Sequence, residues 1–255
     1  MTTSDLLAIQ LYTLRSLGDL DSILATAKAA GFERVETVGG QLADAGTTRK
    51  RLDAHGLVAV TSHVDLARLR EAPDAVLADC RTLGVDEIHM PAVPQDQRDM
   101  DGAGWRALGA ELGKAAEQLK ADGITLGYHN HHWELVPKDG DKTALELIFE
   151  AAGSSPRKWQ ADIAWLVKGG VEPKSWLERY RDRLTCAHVK DIALEGENND
   201  EDGWADVGSG VLNWPDLWRA SQQAGARWMI VEHDKPSDPA RCARASYAYL
   251  TSMTV

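Results

Sequence analysis

The sequence predicts a (β/α)8 TIM barrel, and three observations carry that prediction. First, a helical stretch repeatedly closes on a glycine and an apolar run begins within a few residues. The clearest copies are Ala30-Gly31-Phe32, His55-Gly56-Leu57, Leu83-Gly84-Val85, Asp122-Gly123-Ile124 and Ala224-Gly225-Ala226. Glycine suits the left-handed position just past a helix end. Second, the runs that follow are short and rich in Val and Ile, as strands covered by helices on both faces should be. Third, the 255-residue length matches that of one such barrel.

The elements follow in order. Strand two (33–38) follows Gly31, strand three (57–63) Gly56, strand four (85–90) Gly84, strand five (124–130) Gly123 and strand eight (228–233) Gly225. Strands one (6–12), six (158–163) and seven (184–190) are less strongly marked copies of the same unit. Amphipathic helices separate them. In 101–121, for example, Leu108, Leu112, Ala115 and Leu119 fall on one stripe. Eight alternating units mean parallel strands with helices outside. An open doubly wound sheet is disfavoured by the count and by the lack of a GxGxxG turn after strand one. No linker interrupts the pattern, so residues 1–255 read as a single domain.

Composition narrows the function. Hydrophobic residues make up 44%, enough for a sizeable core, and no run approaches the 18 apolar residues of a membrane span. The first residues lack a basic segment followed by a long apolar run, so no signal peptide is expected. Cys80, Cys186 and Cys242 are odd in number and widely spaced, which suggests reduced thiols and a cytoplasmic setting. With 28 Lys and Arg against 39 Asp and Glu, the formal net charge is −11. Grip on nucleic-acid phosphates needs clustered cations, so neither nucleic acid nor a membrane is the expected partner. A small-molecule substrate is, and homo-oligomerisation is left open.

In such a barrel the chemistry sits where strands end and βα-loops begin. Strand five ends Tyr128-His129-Asn130-His131-His132-Trp133-Glu134, strand six Gln160-Ala161-Asp162, strand seven His188-Val189-Lys190-Asp191, and strand eight Val231-Glu232-His233-Asp234. Four consecutive strands thus place ionisable groups on one rim, where unpaired buried charge would be costly. Strand alternation puts Cys186, His188 and Lys190 on one face, as it does Gln160 with Asp162 and Ile230 with Glu232. Asp162, His188, Glu232 and one carboxylate from the strand-five segment offer hard oxygen donors with one imidazole. That set suits one divalent ion, Mn²⁺, Mg²⁺, Zn²⁺ or Co²⁺, with positions open to substrate. Each residue alone has a plainer reading as a cap or salt bridge. His63 and His89, ending strands three and four, and Gln10 and Glu36 read individually as structural. The longest irregular stretch, 191–212, is acidic and glycine-rich; it reads equally as a lid or as a floppy insertion. Gly208-Ser209-Gly210 within it reads as a tight turn sooner than as a phosphate cradle. Trp133, Trp165 and Trp204 fall in rim loops and could wall a sugar site.

At these residues the chain resembles the xylose-isomerase-like TIM-barrel family, the sugar phosphate isomerase/epimerase superfamily. That family includes ketose 3-epimerases, inosose dehydratases and, more distantly, endonuclease IV-type enzymes. The resemblance spans nearly the whole chain and rests on Gly127-Tyr128-His129-Asn130-His131 with Glu134, Asp162, His188-Val189-Lys190-Asp191, Gly208-Ser209-Gly210 with Asn213-Trp214, and Val231-Glu232. It implies a metal held by Glu134, Asp162, His188 and Glu232. Many members carry the first glutamate within strand five, where this chain has His129, so His129 or His131 stands as the alternative fourth ligand.

The resemblance also implies metal-assisted proton transfer beside the carbonyl of a keto sugar or cyclitol, in an isomerase or epimerase of carbohydrate metabolism. Glu134 and Glu232 would serve as proton-transfer groups, and Lys190 would add positive charge near the oxyanion. His63, His89, His129, His131 and Lys190 would meet substrate. Loss of a leaving group from the same enediolate gives the alternative, a dehydratase or lyase acting on an inosose or 3-keto-glycoside. Two further readings are an endonuclease IV-type repair enzyme, which the net charge disfavours, and a nonenzymatic metal- or sugar-binding barrel.

Overall fold

Each glycine of the repeated helix–glycine–strand unit adopts the left-handed backbone that the pattern predicts: Gly31, Gly56, Gly84, Gly123 and Gly225 all have positive φ. In this computed structural model, which describes residues 3–156 and 158–254, eight parallel strands close into a barrel. They are β1 (Leu7–Gln10), β2 (Arg34–Thr37), β3 (Val58–His63), β4 (Glu87–Met90), β5 (Thr125–His129), β6 (Lys158–Asp162), β7 (Leu184–Val189) and β8 (Trp228–Val231). Each lies inside its predicted range. The ring closes where β1 pairs with β8, Ala8 opposite Ile230.

A helix follows every strand on the outside: Leu20–Ala30, Ala45–His55, Pro73–Leu83, Gly102–Ala121, Ala144–Ala151, Pro173–Arg179, Trp214–Gln223 and Pro239–Ser252. Six of these eight starts are fixed by a side chain that accepts from otherwise unpaired backbone N–H groups. Asp101 accepts from Gly104 N at 2.9 Å, and Thr143 and Glu146 form a reciprocal capping box. The apolar core lies between these helices and the outer faces of the strands. It includes Phe32, Trp105, Trp159, Trp214 and Trp218, each essentially inaccessible to water. The barrel axis is different. The pairings Gln10–Glu36, His63–His89 and Asp162–His188 bring polar side chains inward. Beneath them a small apolar plug of Ala8, Val60, Cys186 and Ile230 fills the N-terminal end.

The acidic stretch 191–212 is an ordered strap and not a floppy insertion. Asp191–Ile192 pairs antiparallel with Trp204–Ala205. The Asp191 carboxylate accepts from the backbone N–H groups of Ile192, Gly208, Gly210 and Leu212 at 2.9–3.3 Å. The tight-turn reading of Gly208-Ser209-Gly210 therefore holds, because the donors a phosphate would need already serve Asp191. Glycine is required at both ends of that turn. Gly208 has φ +90°, with the Tyr249 ring filling the space of a Cβ, and a Cβ on Gly210 would lie 2.3 Å from Asp191. Glu201, bonded to Ser237 and Arg241, pins the strap to the last helix. Among the described residues the three cysteines are buried and free, and no helix is long and apolar enough to cross a membrane.

The helices 102–121 and 144–151 meet at Gly109, where a Cβ would come 2.6 Å from the Ile148 carbonyl oxygen. Gly109→Ala is therefore expected to lower stability by about 1–3 kcal/mol through overpacking, although alanine favours helix by up to about 1 kcal/mol elsewhere. Gly46→Ala, in a helix with open space around it, is expected to raise stability slightly. Urea midpoints at unchanged m-value read both.

Candidate active site and metal centre

The site is built from beneath by Glu36 of β2, a residue whose sequence context suggested only a structural role. Its fully buried carboxylate accepts four hydrogen bonds. Gln10 Nε2 (2.8 Å) and His188 Nε2 (2.7 Å) donate to Oε1, and Thr61 Oγ1 and Gln160 Nε2 (both 2.6 Å) donate to Oε2. Burial alone would raise this carboxyl, but His63 and His188 outweigh it and hold Glu36 well below the usual carboxylate range. Gln160 passes the ordering on. Its Oε1 accepts from His63 Nε2 at 2.8 Å and from His129 Nδ1 at 3.1 Å. With Nδ1 donating, the His129 Nε2 lone pair faces Asp162 Oδ2, 3.9 Å away.

Above this layer, ligand atoms of His129, Asp162, His188 and Glu232 all lie within 4.8 Å of one another, and all four residues are buried. His188 Nε2 is committed to Glu36, so its Nδ1 is the nitrogen that meets Glu232 Oε2, at 2.9 Å. A carboxylate behind the imidazole is the arrangement that fixes ring and tautomer in metal-binding histidines. Burial lowers the His188 pKa, but Glu36 and Glu232 more than reverse this and lift it to about 10. Lys190 lies 3.1 Å from Asp162, 3.2 Å from Glu232 and 2.7 Å from Asp234. Burial raises Glu232, yet Lys190 and His188 bring it below the ordinary carboxylate range; Asp162 is pushed up by burial, against Lys190. Four carboxylates, Glu36, Asp162, Glu232 and Asp234, thus face two cations, His188 and Lys190. The remaining negative charge, the donor types and their spacing fit one divalent ion.

Glu134 and His89 are not brought to this group. The Glu134 carboxylate turns outward, accepting from the Tyr128 hydroxyl and from His131 N, each at 2.7 Å. The alternation of β5 explains it: Tyr128 and His129 point to opposite faces, and the turn 130–133 folds Glu134 back onto the Tyr128 side. The motif is a self-contained corner, completed by Asn130, whose Oδ1 accepts from Trp159 Nε1 (2.9 Å) and Asp162 N (3.1 Å). Burial pushes the Glu134 carboxyl up to about 7. The position this chain gives to the fourth donor is filled by His129, the alternative that alternation within β5 makes available. His89 sits lower in the barrel, its ring packed against the bare backbone of Gly127.

The open pocket above has a volume of about 370 Å³. His63, His129, His131 and Glu232 reach it, joined by Gln10, Tyr12, Asp65 and Asp234. Asp234 shares the face of Glu232 by strand alternation; Tyr12 and Asp65 come from the loops after β1 and β3, which carried no sequence signal. Lys190 is fully buried beneath the rim, under Trp204 (4.6 Å from the ring centre) and Trp165 (5.0 Å). The rim tryptophans pack around His131 and over Lys190, and none is among the pocket's described lining residues. Trp165 packs edge-on against Trp204 at 4.6 Å, and Trp133 stacks on His131 at 4.1 Å. Burial and neighbouring positive groups lower His129 and His131 well below the usual imidazole range, so both are neutral.

Comparison with known proteins then decides the family. The model of the xylose isomerase-like TIM barrel family matches residues 24–253. The chain belongs to the xylose isomerase-like TIM barrel family. Among solved members, a sugar phosphate isomerase/epimerase from Parabacteroides distasonis superposes with a TM-score of 0.78, at 20% identity, over 97% of this chain and 98% of the other. A structure described as IOLI protein with a binding zinc atom gives a TM-score of 0.71 at 13% identity, covering 96% and 98%. An inosose dehydratase of Lacticaseibacillus casei is 27% identical over 159 residues, 56% of this chain and 51% of that protein. The chain thus spans about half the length of the curated inosose dehydratase it matches.

Within this xylose isomerase-like barrel, Glu36→Gln removes the charge behind His188 while keeping its shape. The variant is expected to bind Mn²⁺ about 10- to 100-fold more weakly. Chelator competition measures this, and unchanged affinity would remove Glu36 from the centre.

Proposed function

We propose that this protein is a metal-dependent enzyme that moves a proton beside the carbonyl of an unphosphorylated keto sugar or cyclitol, as an isomerase or epimerase. The observation that carries the reading is the convergence of His129, Asp162, His188 and Glu232 at the floor of an open pocket lined by polar side chains. These four residues would hold the ion. When bound, a divalent ion there supplies Lewis-acid stabilisation to the oxygen on which charge develops.

The chain's own groups would do the rest. Glu232 is the carboxylate of the four that lines the pocket, so it is the base with access to a substrate carbon. Lys190 and His188 keep it ionised and fixed in orientation. His63 and neutral His131 offer ring nitrogens to substrate hydroxyls, and Asp234, bonded to Lys190, lines the same pocket for proton return. Glu134 takes no part in this chemistry and holds the His131 corner. His89 contacts no substrate.

The lack of phosphate on the substrate follows from charge. Asp65, Glu232 and Asp234 line the pocket, with no lysine or arginine among its described lining residues. A phosphate there would meet three carboxylates and no lysine or arginine to pair with.

A second reading, a dehydratase acting on an inosose, is favoured by the inosose dehydratase match. It uses the same proton abstraction and differs in expelling a hydroxyl from the next carbon.

Two measurements test this. Glu232→Gln is expected to lose at least about 100-fold in turnover on a keto-sugar and inosose panel, with the thermal midpoint nearly unchanged; full activity would refute the assignment. Proton NMR in D₂O separates the two readings. Isomerisation or epimerisation exchanges a carbon-bound hydrogen without loss of water, whereas dehydration yields an unsaturated product. Exhaustive chelation is expected to stop either reaction and readdition of Mn²⁺ or Zn²⁺ to restore it; activity that persists in the metal-free protein would overturn the metal dependence.

A further inference from the structure

Beneath the metal centre, on the far side of Glu36, a second group of donors converges: Glu87 and His89 of β4 and Cys186 of β7. Their ligand atoms lie within 4.8 Å of one another, and all three side chains are buried. From Glu87 Oε1 the distance to His89 Nε2 is 3.0 Å and to Cys186 Sγ 3.4 Å. Tetrahedral zinc, with bonds of about 2.0 Å to oxygen and nitrogen and about 2.3 Å to sulfur, holds such pairs about 3.3 and 3.5 Å apart. A Cys186 S–H hydrogen bond and the His89 ion pair, both to Glu87 Oε1, already hold the three donors near the spacing of a ligated ion.

The histidine supplies an independent observation. His89 is wholly inaccessible; its Nε2 is paired with Glu87 at 3.0 Å, and its Nδ1 makes no hydrogen bond. Its Nε2 is aimed at Glu87, and its Nδ1 faces Glu36 Oε2 at 3.9 Å, the direction from which a carboxylate would orient a ligating ring. The ring reaches this place because residue 127 is glycine; a Cβ there would lie 2.3 Å from the ring.

We propose that Glu87, His89 and Cys186 form a second metal site in the floor of the barrel, selective for a thiophilic divalent cation such as Zn²⁺ or Co²⁺. Glu87 Oε1 ligates while Oε2 stays paired with Arg227, whose half-exposed guanidinium closes the N-terminal end. Thr185 bonds Glu87 as well and steadies it. On binding, the Cys186 S–H bond gives its proton to solvent and the thiolate takes the metal, so charge balances as two ligand anions against the dication. The upper centre contains no sulfur and prefers harder ions, so the two sites differ in selectivity. The role is structural: the ion would tie β4 to β7 across the barrel and brace Glu36 from below.

Cobalt distinguishes the sites because only the lower one has a thiolate. Metal-free protein titrated with Co²⁺ is expected to take up two equivalents and to develop a thiolate-to-cobalt charge-transfer band in the near ultraviolet. Cys186→Ser is expected to lose the band and one equivalent. Asp162→Asn, which disables the upper centre, is expected to keep the band and lose the other equivalent. Wild-type protein that binds a single equivalent with no charge-transfer band overturns the proposal without recourse to any variant. So does a band that persists in Cys186→Ser, which would place the thiolate at Cys80 or Cys242. None of these readouts requires a substrate, so the result stands apart from the proposed enzymatic activity.

Discussion

A carboxylate on the axis of a barrel is the constraint from which the rest of this structure follows. Removing Glu36 from water carries a penalty of several kcal/mol, recovered only if its lone pairs are filled with good geometry. They are filled by donors from four other strands: Gln10 of β1, Thr61 of β3, Gln160 of β6 and His188 of β7. Each of those side chains is then fixed in rotamer by the same anion. The site above inherits its geometry from that layer, since His188 and, through Gln160, His129 and His63 are oriented by it. A barrel interior is ordinarily packed with branched apolar residues. Here the axis is given over to polar groups, and apolar stabilisation rests on the helix–strand shell and its buried tryptophans.

The sequence carried most of the fold because each unit repeats the same local signal, a glycine in left-handed backbone followed by a doubly buried strand. It carried three of the four convergent donors because Asp162, His188 and Glu232 end consecutive strands. The fourth was harder to place for a physical reason. Glu134 is drawn to Tyr128 by a turn that reverses the chain, and a reversal of that kind is not encoded in spacing. The alternation of β5 did contain the answer, since His129 shares an inward face with Gly127. Glu36 and Gln10 were visible but undervalued, because a buried carboxylate gains meaning only from partners that lie up to 152 residues away. Glu87 was hidden similarly. Counting back two positions from His89 finds it, but its partner Cys186 is 99 residues distant.

The cations of the site divide the work. His188 is held between Glu36 and Glu232, one carboxylate on each ring nitrogen, and its pKa near 10 reflects that sandwich. Lys190 gathers the outer three carboxylates, and its complete burial lets one ammonium hold all three at hydrogen-bonding distance. A divalent ion in place of a His188 proton would meet carboxylates that already converge on that ring.

Such preorganisation depends on excluding water, and here the strap after β7 decides the matter. Trp204 lies at the end of its hairpin, almost fully buried, with Lys190 beneath its ring. The hairpin is held by Asp191, which spends its carboxylate on four backbone N–H groups of its own segment, and by Glu201 through Ser237 and Arg241. Acidic residues that composition alone would assign to a solvated insertion are therefore consumed in fastening the strap. Trp204 on that strap covers Lys190, and lower local dielectric strengthens the contacts of Lys190 with its carboxylates. The position of Glu232 in the pocket thus depends on a loop whose residues never touch it.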